Sequence, residues 1–339
     1  MNTEASHYWN GPAWGWKRLW ITPGGVQDAV RRRYGIAADS ATFLAAGMLN
    51  QSWRISSADG DFVLRVTRAD RTREQIEYEH SLTTELHKSI VVVIPPEPGL
   101  DHGTLQEWQN RPVSLFRYVD GIPGTELRAE TRMSAVADVL GQIHHRTAIL
   151  RWPQRTGFRS VRDEPRWVWK KFEATLRQAL GTTDVGRSFE VIDSAVTELD
   201  VWLDAAWRTG DLGSEAVIHG DFNNRNILFQ DGVPAASLCA VIDWDDCCVN
   251  PLAWELAQVA FRTGEYDVKG FCDVYVDAGG PVETRDIELL SNFAVMGELS
   301  ELEWTVDDGI VGPRAAEQVQ EVAATIIAIQ QRTQEIRTS

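Results

Sequence analysis

His219-Gly220-Asp221-Phe222-Asn223-Asn224-Arg225-Asn226, followed farther on by Val241-Ile242-Asp243-Trp244, decides the reading of this chain. Before it, Ala216-Val217-Ile218 is a short apolar run of β type. After it come Ile227-Leu228-Phe229, a Gln230-Asp231-Gly232 turn signal and a second apolar run from Leu238 to Ile242. This order reads as a strand, a polar loop and a β-hairpin. A hairpin folds the chain back on itself, so Asn226 at the start of its first strand and Asp243 at the end of its second share one end. Asp221 sits in the loop feeding that end. Two carboxylates and an amide oxygen in one small volume suit Mg²⁺ and a hydroxyl about to lose its proton, the needs of phosphoryl transfer to an alcohol.

In that chemistry Asp221 would accept the proton of the attacking hydroxyl, while Asn226 and Asp243 would hold Mg²⁺ against nucleotide phosphates. His219 ends a strand beside the loop, where a ring hydrogen-bonded to loop backbone would fix the geometry. A Gly-Asp pair alone is a common turn. The specificity lies in the coincidence of Asp, Asn, apolar strand, turn and Ile-Asp in one order.

His219 to Asn226 and Val241 to Asp245 resemble the catalytic and metal loops of the aminoglycoside phosphotransferase, choline kinase and homoserine kinase-like superfamily, which shares the protein-kinase fold. Upstream, Gly47-Met48-Leu49-Asn50-Gln51-Ser52-Trp53 and Asp61-Phe62-Val63-Leu64-Arg65-Val66 resemble that family's first hairpin and the strand carrying its phosphate-contacting basic residue. That residue is Arg65 here, not lysine; its planar guanidinium can still grip phosphate oxygens. The glycine-rich cover is reduced to Gly47, which leaves Asn50, Gln51 and Ser52 to supply phosphate-facing donors. Glu79 to Leu86 resembles the helix whose glutamate pairs with the basic residue. Glu74 and Glu77 compete for that role, and the resemblance selects Glu79. Pro112 to Gly121 resembles the last strand of the small lobe and the hinge, so backbone groups of Arg117 and Val119 would meet adenine.

The resemblance also places His144 at the end of a large-lobe helix as a core or capping residue. Glu255 stands where relatives carry the aspartate of Asp-Leu-Ala, and would hold the loop backbone around Asp221. Asp245 is placed to touch a second Mg²⁺, and otherwise serves, like Asp246, as a solvated turn acid. The implied fold is α+β and two-lobed, protein-kinase-like, with an antiparallel sheet in the small lobe and a larger, mostly helical lobe. Its divisions are a Trp-rich extension over 1–25, a nucleotide-binding lobe with hinge over 26–119, and a catalytic and acceptor-binding lobe over 120–339. The implied activity moves the γ-phosphate of ATP, or GTP, to a hydroxyl of an aminoglycoside or related aminosugar, in resistance or antibiotic biosynthesis. A homoserine- or choline-like amino alcohol kinase is the alternative, and a nucleotide-binding pseudokinase or scaffold the alternative from another class.

The remaining sequence agrees with this outline. A chain of 339 residues, 43% hydrophobic, can build two cores. No apolar run reaches bilayer length and no signal peptide is evident, so the expected setting is the cytoplasm, as a monomer or homodimer. A net charge of -16 disfavours nucleic acid and anionic membrane as partners and suits a cationic acceptor, although it also simply favours solubility. The 4 cysteines show no metal-ligand spacing. Trp9, Trp14, Trp16 and Trp20 lie in a Gly- and Pro-containing segment expected to pack as a strap, and Val26 to Tyr34 reads as an amphipathic helix. Around Trp304 the acids Glu298, Glu301, Glu303, Asp307 and Asp308 could meet ammonium groups of the acceptor, with the indole face adding a cation–π contact. Val319, Val322, Ile326 and Ile329 mark a packed closing helix.

Overall fold

The computed structural model describes residues 19–44, 50–158, 161, 169–180, 185–210, 212–232, 237–282, 286–307 and 313–338. The chain divides into two compact units. The first comprises Met1–Ile122, Leu228–Gly232 and Leu238–Asp245, and the second the remainder.

The first unit opens with α1 (Pro23–Tyr34). Thr22 caps it by accepting a hydrogen bond from Gly25 N, Pro23 needs no amide partner there, and Gly35 ends it at φ 76°. These signals start the helix before Val26, where hydrophobic spacing alone begins it. Then follow β1 (Ala38–Leu44), β2 (Gln51–Ser57), β3 (Gly60–Val66), α2 (Arg73–His87), β4 (Pro96–Glu97), β5 (Gln106–Trp108) and β6 (Arg111–Arg117). The antiparallel sheet runs in the order β1-β2-β3-β6-β4, with β5 also on β6. Alternation splits its residues between two faces. Trp53, Ile55, Phe62, Leu64, Val113 and Leu115 bury against Val26, Val30 and Tyr34 of α1. Arg65, directly paired with Ser52 on one side and Ser114 on the other, lies on the opposite face. There α2 supplies Glu79 and His80, and Ser114 Oγ lies 3.1 Å from His80 Nε2. A reciprocal box between Thr72 and Gln75 starts α2. Its Leu82 and Leu86 are fully buried, one turn apart.

The chain leaves this unit through β7 (Ile122–Pro123). The second unit has α3 (Ala129–Leu150), α4 (Trp169–Leu180), α5 (Gly186–Thr209) and β8 (Glu215–Ile218). The chain returns for the hairpin of β9 (Ile227–Phe229) and β10 (Leu238–Val241), which with β7 forms a sheet ordered β10-β9-β7. This hairpin counts mainly with the first unit. The second unit is completed by β11 (Cys248–Pro251), antiparallel to β8, then α6 (Leu252–Leu256), a π-helical stretch Ala257–Arg262, α7 (Val268–Asp277), α8 (Ile287–Asp307) and α9 (Pro313–Thr338). Val319, Val322, Ile326 and Ile329 of α9 are all buried.

Trp20 is 59% exposed, contrary to the expected packed strap, and it is Ile21 that turns into the core. Trp9, Trp14, Trp16 and Gly47 lie outside the described residues. No described helix is long and apolar enough to cross a membrane. The cysteines are free thiols, and burial pushes that of Cys248 up to about 12.

Candidate active site

In the second unit the loop after β8 is held from behind by Glu255. Because β11 runs antiparallel to β8, the chain leaves β11 beside the start of β8, and α6 returns toward its end. Glu255 Oε2 accepts from His219 N at 3.0 Å and Oε1 from Gly220 N at 2.7 Å. His144 Nε2 lies 2.9 Å from Oε2, and its Nδ1 lies 2.8 Å from the Tyr275 hydroxyl. Burial pushes the Glu255 carboxyl up, but the His144 hydrogen bond and charge, with His219, outweigh it and leave it below the ordinary value. Gly220 has φ 86°, and a Cβ there would stand 2.2 Å from Asp246 O, so no side chain fits. Asp221 N donates to His219 Nδ1 at 3.2 Å, which places that ring as a backbone brace.

Asp221 itself is exposed, with each carboxylate oxygen held by an amide. Asn223 Nδ2 donates to Oδ1 at 2.7 Å, and Asn226 Nδ2 donates to Oδ2 at 2.8 Å. Neutral donors orient the carboxylate without neutralising it, so it keeps lone pairs for a proton. With its NH₂ turned to Asp221, Asn226 leaves its carbonyl oxygen for another ligand. A second brace passes through Asn224, whose Nδ2 donates to Glu265 Oε2 at 3.1 Å and whose Oδ1 accepts from the Tyr266 hydroxyl at 3.0 Å. Buried Arg132 joins both partners, donating to Tyr266 at 2.9 Å and forming one ion-paired hydrogen bond with Glu265. Asn223, Asn224, Arg132 and Tyr266 carried no role in the sequence reading. Asn223 is local enough to suggest itself, its Oδ1 accepting from Arg225 N at 2.9 Å in an Asx-type bond two residues on; the others are not.

In the first unit Arg65 is buried, and its Nη2 meets Glu79 Oε1 at 2.5 Å. Its Nη1 lies 3.6 Å from Asp245 Oδ1 and 3.9 Å from Asp243 Oδ1. Burial opposes the charge of Arg65, but Glu79, Asp245 and Asp243 together hold it above its ordinary value. Glu77 pairs instead with Arg73 and, like Glu74, is exposed. Asp243 sits at φ 64°, a left-handed conformation unusual for a residue with a side chain. The turn is stitched by Trp244 Nε1 donating to Val241 O at 3.2 Å, and Val241 N donates to Val92 O at 2.8 Å. The result presents Asp243 with its side chain 47% exposed, while Asp245 is buried.

Three expectations are altered by these contacts. Asp245 is no solvated turn acid, since Asn50 Nδ2 donates to its Oδ2 at 2.9 Å. Asn50 is therefore occupied within the unit, its Oδ1 accepting from Arg68 N at 3.1 Å, rather than offering its amide outward. Glu301, proposed to meet an acceptor ammonium, has its charge balanced within the chain by Arg262 at 2.6 Å. Neighbouring Glu298 is pushed up to about 7, chiefly by burial, with Arg262 opposing and Glu301 and Glu321 assisting. The Trp304 side chain lies outside the described residues, although its backbone belongs to α8. Ser52 remains on the face of Arg65. At the end of β6, Tyr118 N donates to Asp61 O at 3.0 Å, so by alternation the Arg117 backbone groups point away from β3. Val119 follows just beyond the strand.

Taken unit by unit, the oxygens are of the kind Mg²⁺ takes: in the first unit Asp243 offers a half-exposed carboxylate, and in the second Asn226 keeps a carbonyl oxygen when its NH₂ turns to Asp221. Mg²⁺ takes one or two carboxylates and is completed by water and substrate phosphate. Among the described residues no group of three or more His, Cys, Asp or Glu side chains gathers to hold a metal.

The sequence profile described as the phosphotransferase enzyme family matches residues 40–289. A homoserine kinase of Bradyrhizobium diazoefficiens is 24% identical over 215 residues, covering 63% of this chain and 60% of that kinase. Among solved structures the fold is similar to that of a spectinomycin phosphotransferase in complex with ADP and spectinomycin, with TM-score 0.66 and 14% identity over 92% of this chain and 100% of that one. A microcompartment-associated aminopropanol kinase gives TM-score 0.63 and 18% identity over 92% and 98%. An amicoumacin kinase in complex with AMP-PNP and Ca²⁺ gives 0.61 and 13% over 98% and 97%. At these identities the likeness is one of fold, an antiparallel sheet with a mostly helical remainder, as the sequence implied.

Proposed function

Because the chain belongs to the phosphotransferase enzyme family, we propose that it transfers the γ-phosphoryl group of ATP, or GTP, to a hydroxyl of a small molecule, an aminoglycoside or related aminosugar in the first instance. The observation that carries this reading is the orientation of Asp221: exposed, with both oxygens held by neutral amides, on a loop whose backbone is tied to Glu255. Such a carboxylate accepts the proton as the acceptor oxygen bonds to Pγ; the bond from Pγ to the bridging oxygen breaks, and the nucleoside diphosphate leaves. Arg65 would meet phosphate oxygens, with Glu79 holding it. Asn226 and Asp243 would hold Mg²⁺, which when bound neutralises charge developing on the phosphates. The backbone of Arg117 and Val119 would meet the base, and Ser52 the phosphates.

An amino alcohol acceptor is the second reading, favoured by the similarity to a homoserine kinase. Glu301 supports an aminosugar less well than its sequence suggested, because Arg262 already neutralises it. The test is ADP release with Mg-ATP across aminoglycosides, amino alcohols, nucleosides and sugars, beside Asp221→Ala as control. Turnover of one class that Asp221→Ala abolishes supports the proposal. No turnover with any class, or full turnover by the variant, refutes it and leaves a nucleotide-binding scaffold.

A further inference from the structure

Arg65 does more than pair with Glu79. A lysine ammonium is a single nitrogen, whereas a guanidinium presents two terminal nitrogens in a planar fork and can serve two carboxylates at once. Here Nη2 goes to Glu79 of α2 and Nη1 faces Asp245, which lies just past β10. Asp245 is 4% exposed, and its other oxygen accepts from Asn50 at the head of β2. Asn50 in turn accepts from the backbone of Arg68, just past the end of β3. A cation bound to Asp245 would have to stand against the guanidinium and displace the amide of Asn50. Asp243, by contrast, is half exposed and stands 3.9 Å from Arg65.

From this chain of contacts we infer that Asp245 is a positioning residue for Arg65 and Asn50, not a ligand of the metal. It joins α2, β3, the segment after β10 and the head of β2 through one buried guanidinium. Arginine at this position and the buried Asp245 therefore form one unit, which lysine would break by reaching only one of the two acids. The part of the inference that concerns nucleotide affinity rests on the proposed phosphotransferase function; the coupling between Arg65 and Asp245 does not.

The experiment compares wild type, Asp245→Asn, Arg65→Lys and the double variant by thermal melting without ligand, by ADP titration in excess Mg²⁺, and by Mg²⁺ titration at fixed ADP. Each single change is expected to lower the melting temperature and to weaken ADP binding about tenfold, and the double variant to lose little beyond the worse single change. The Mg²⁺ midpoint should move less than about twofold in Asp245→Asn, while Asp243→Ala moves it about tenfold or more. Independent, additive losses in melting temperature, or an Mg²⁺ midpoint displaced in Asp245→Asn as far as in Asp243→Ala, would overturn the inference. Should Asp245→Asn not fold, Asn50→Ala asks the same question with a neutral residue. Weaker ADP binding at an unchanged Mg²⁺ midpoint supports the assignment, and unchanged ADP binding overturns it. If wild type binds no nucleotide, the proposed function fails by itself, and non-additive melting still decides the coupling.

Discussion

Replacing Glu255 with glutamine keeps its shape and removes one acceptor oxygen together with the charge. In the native chain one oxygen serves Gly220 N at 2.7 Å, and the other serves His219 N at 3.0 Å and His144 Nε2 at 2.9 Å. Whichever way the new amide turns, its NH₂ faces at least one of these backbone donors. A hydrogen bond to a charged group contributes about 1.5–3 kcal/mol, and a buried donor left facing another donor costs about 1–3 kcal/mol. The expected loss is therefore about 2.5–6 kcal/mol, concentrated at the backbone that carries Asp221. The carboxyl of Glu255 is depressed in the folded state, so its stabilisation is present above the unfolded value near 4.5 and is lost as pH falls through the folded value. Urea unfolding from pH 7 to pH 3 should show wild type losing stability on acidification, with Glu255→Gln less stable at pH 7 and flatter through that window. Steady-state ADP release should show kcat lowered about tenfold or more, with nucleotide KM nearly unchanged, because the change displaces Asp221, the proposed base, rather than the proposed phosphate contacts. Stability within about 0.5 kcal/mol of wild type at pH 7 would refute the reasoning.

Other expectations follow from the same contacts. Asp243→Ala should weaken Mg-nucleotide binding and raise the Mg²⁺ requirement, checked by calorimetric titration; an unchanged requirement removes Asp243 from the metal. Tyr266→Phe takes the hydroxyl from Asn224 and leaves Arg132 Nε short of an acceptor. It should cost about 1–3 kcal/mol in unfolding and lower kcat with nucleotide affinity intact, whereas equal loss of both would place the brace elsewhere. Glu298, raised to about 7 by burial, destabilises the fold progressively as pH rises from its unfolded value near 4.5 through 7. Glu298→Gln should accordingly raise the melting temperature at pH 8 and leave it nearly unchanged at pH 4; a lower melting temperature at pH 8 would show that pairing with Arg262 outweighs burial.

Periodicity carried much of the fold. Ile76, Leu82 and Leu86 define the buried face of α2, and Glu79 shares it at helical spacing while Glu74 and Glu77 do not. Helical spacing alone could thus have separated the three acids. Capping chemistry would have moved the start of α1 back to Pro23, since Thr22 accepts from Gly25 whatever the hydrophobic pattern says. Trp20 misled because the apolar content of a segment does not say which of its residues turns inward. At the site, Glu255 was legible only through resemblance, and the pairing of Glu301 with Arg262 was not legible, because nothing near Glu301 in sequence announces it.

What the sequence by itself determined is the local chemistry: a strand, the loop that carries Asp221 and Asn226, and a hairpin ending at Asp243. Those groups are joined by a few covalent bonds or by a single turn, so backbone geometry restricts where they can be. Tertiary structure alone decided that Asp245 is buried against Arg65 and Asn50, that Asn224 is held by Tyr266 and Glu265, and that Glu255 grips two loop amides. Those pairings join residues far apart in the chain. Their geometry comes from the packing of whole elements, and burial is what turns an ordinary turn acid into a partner that cannot be left without its cation.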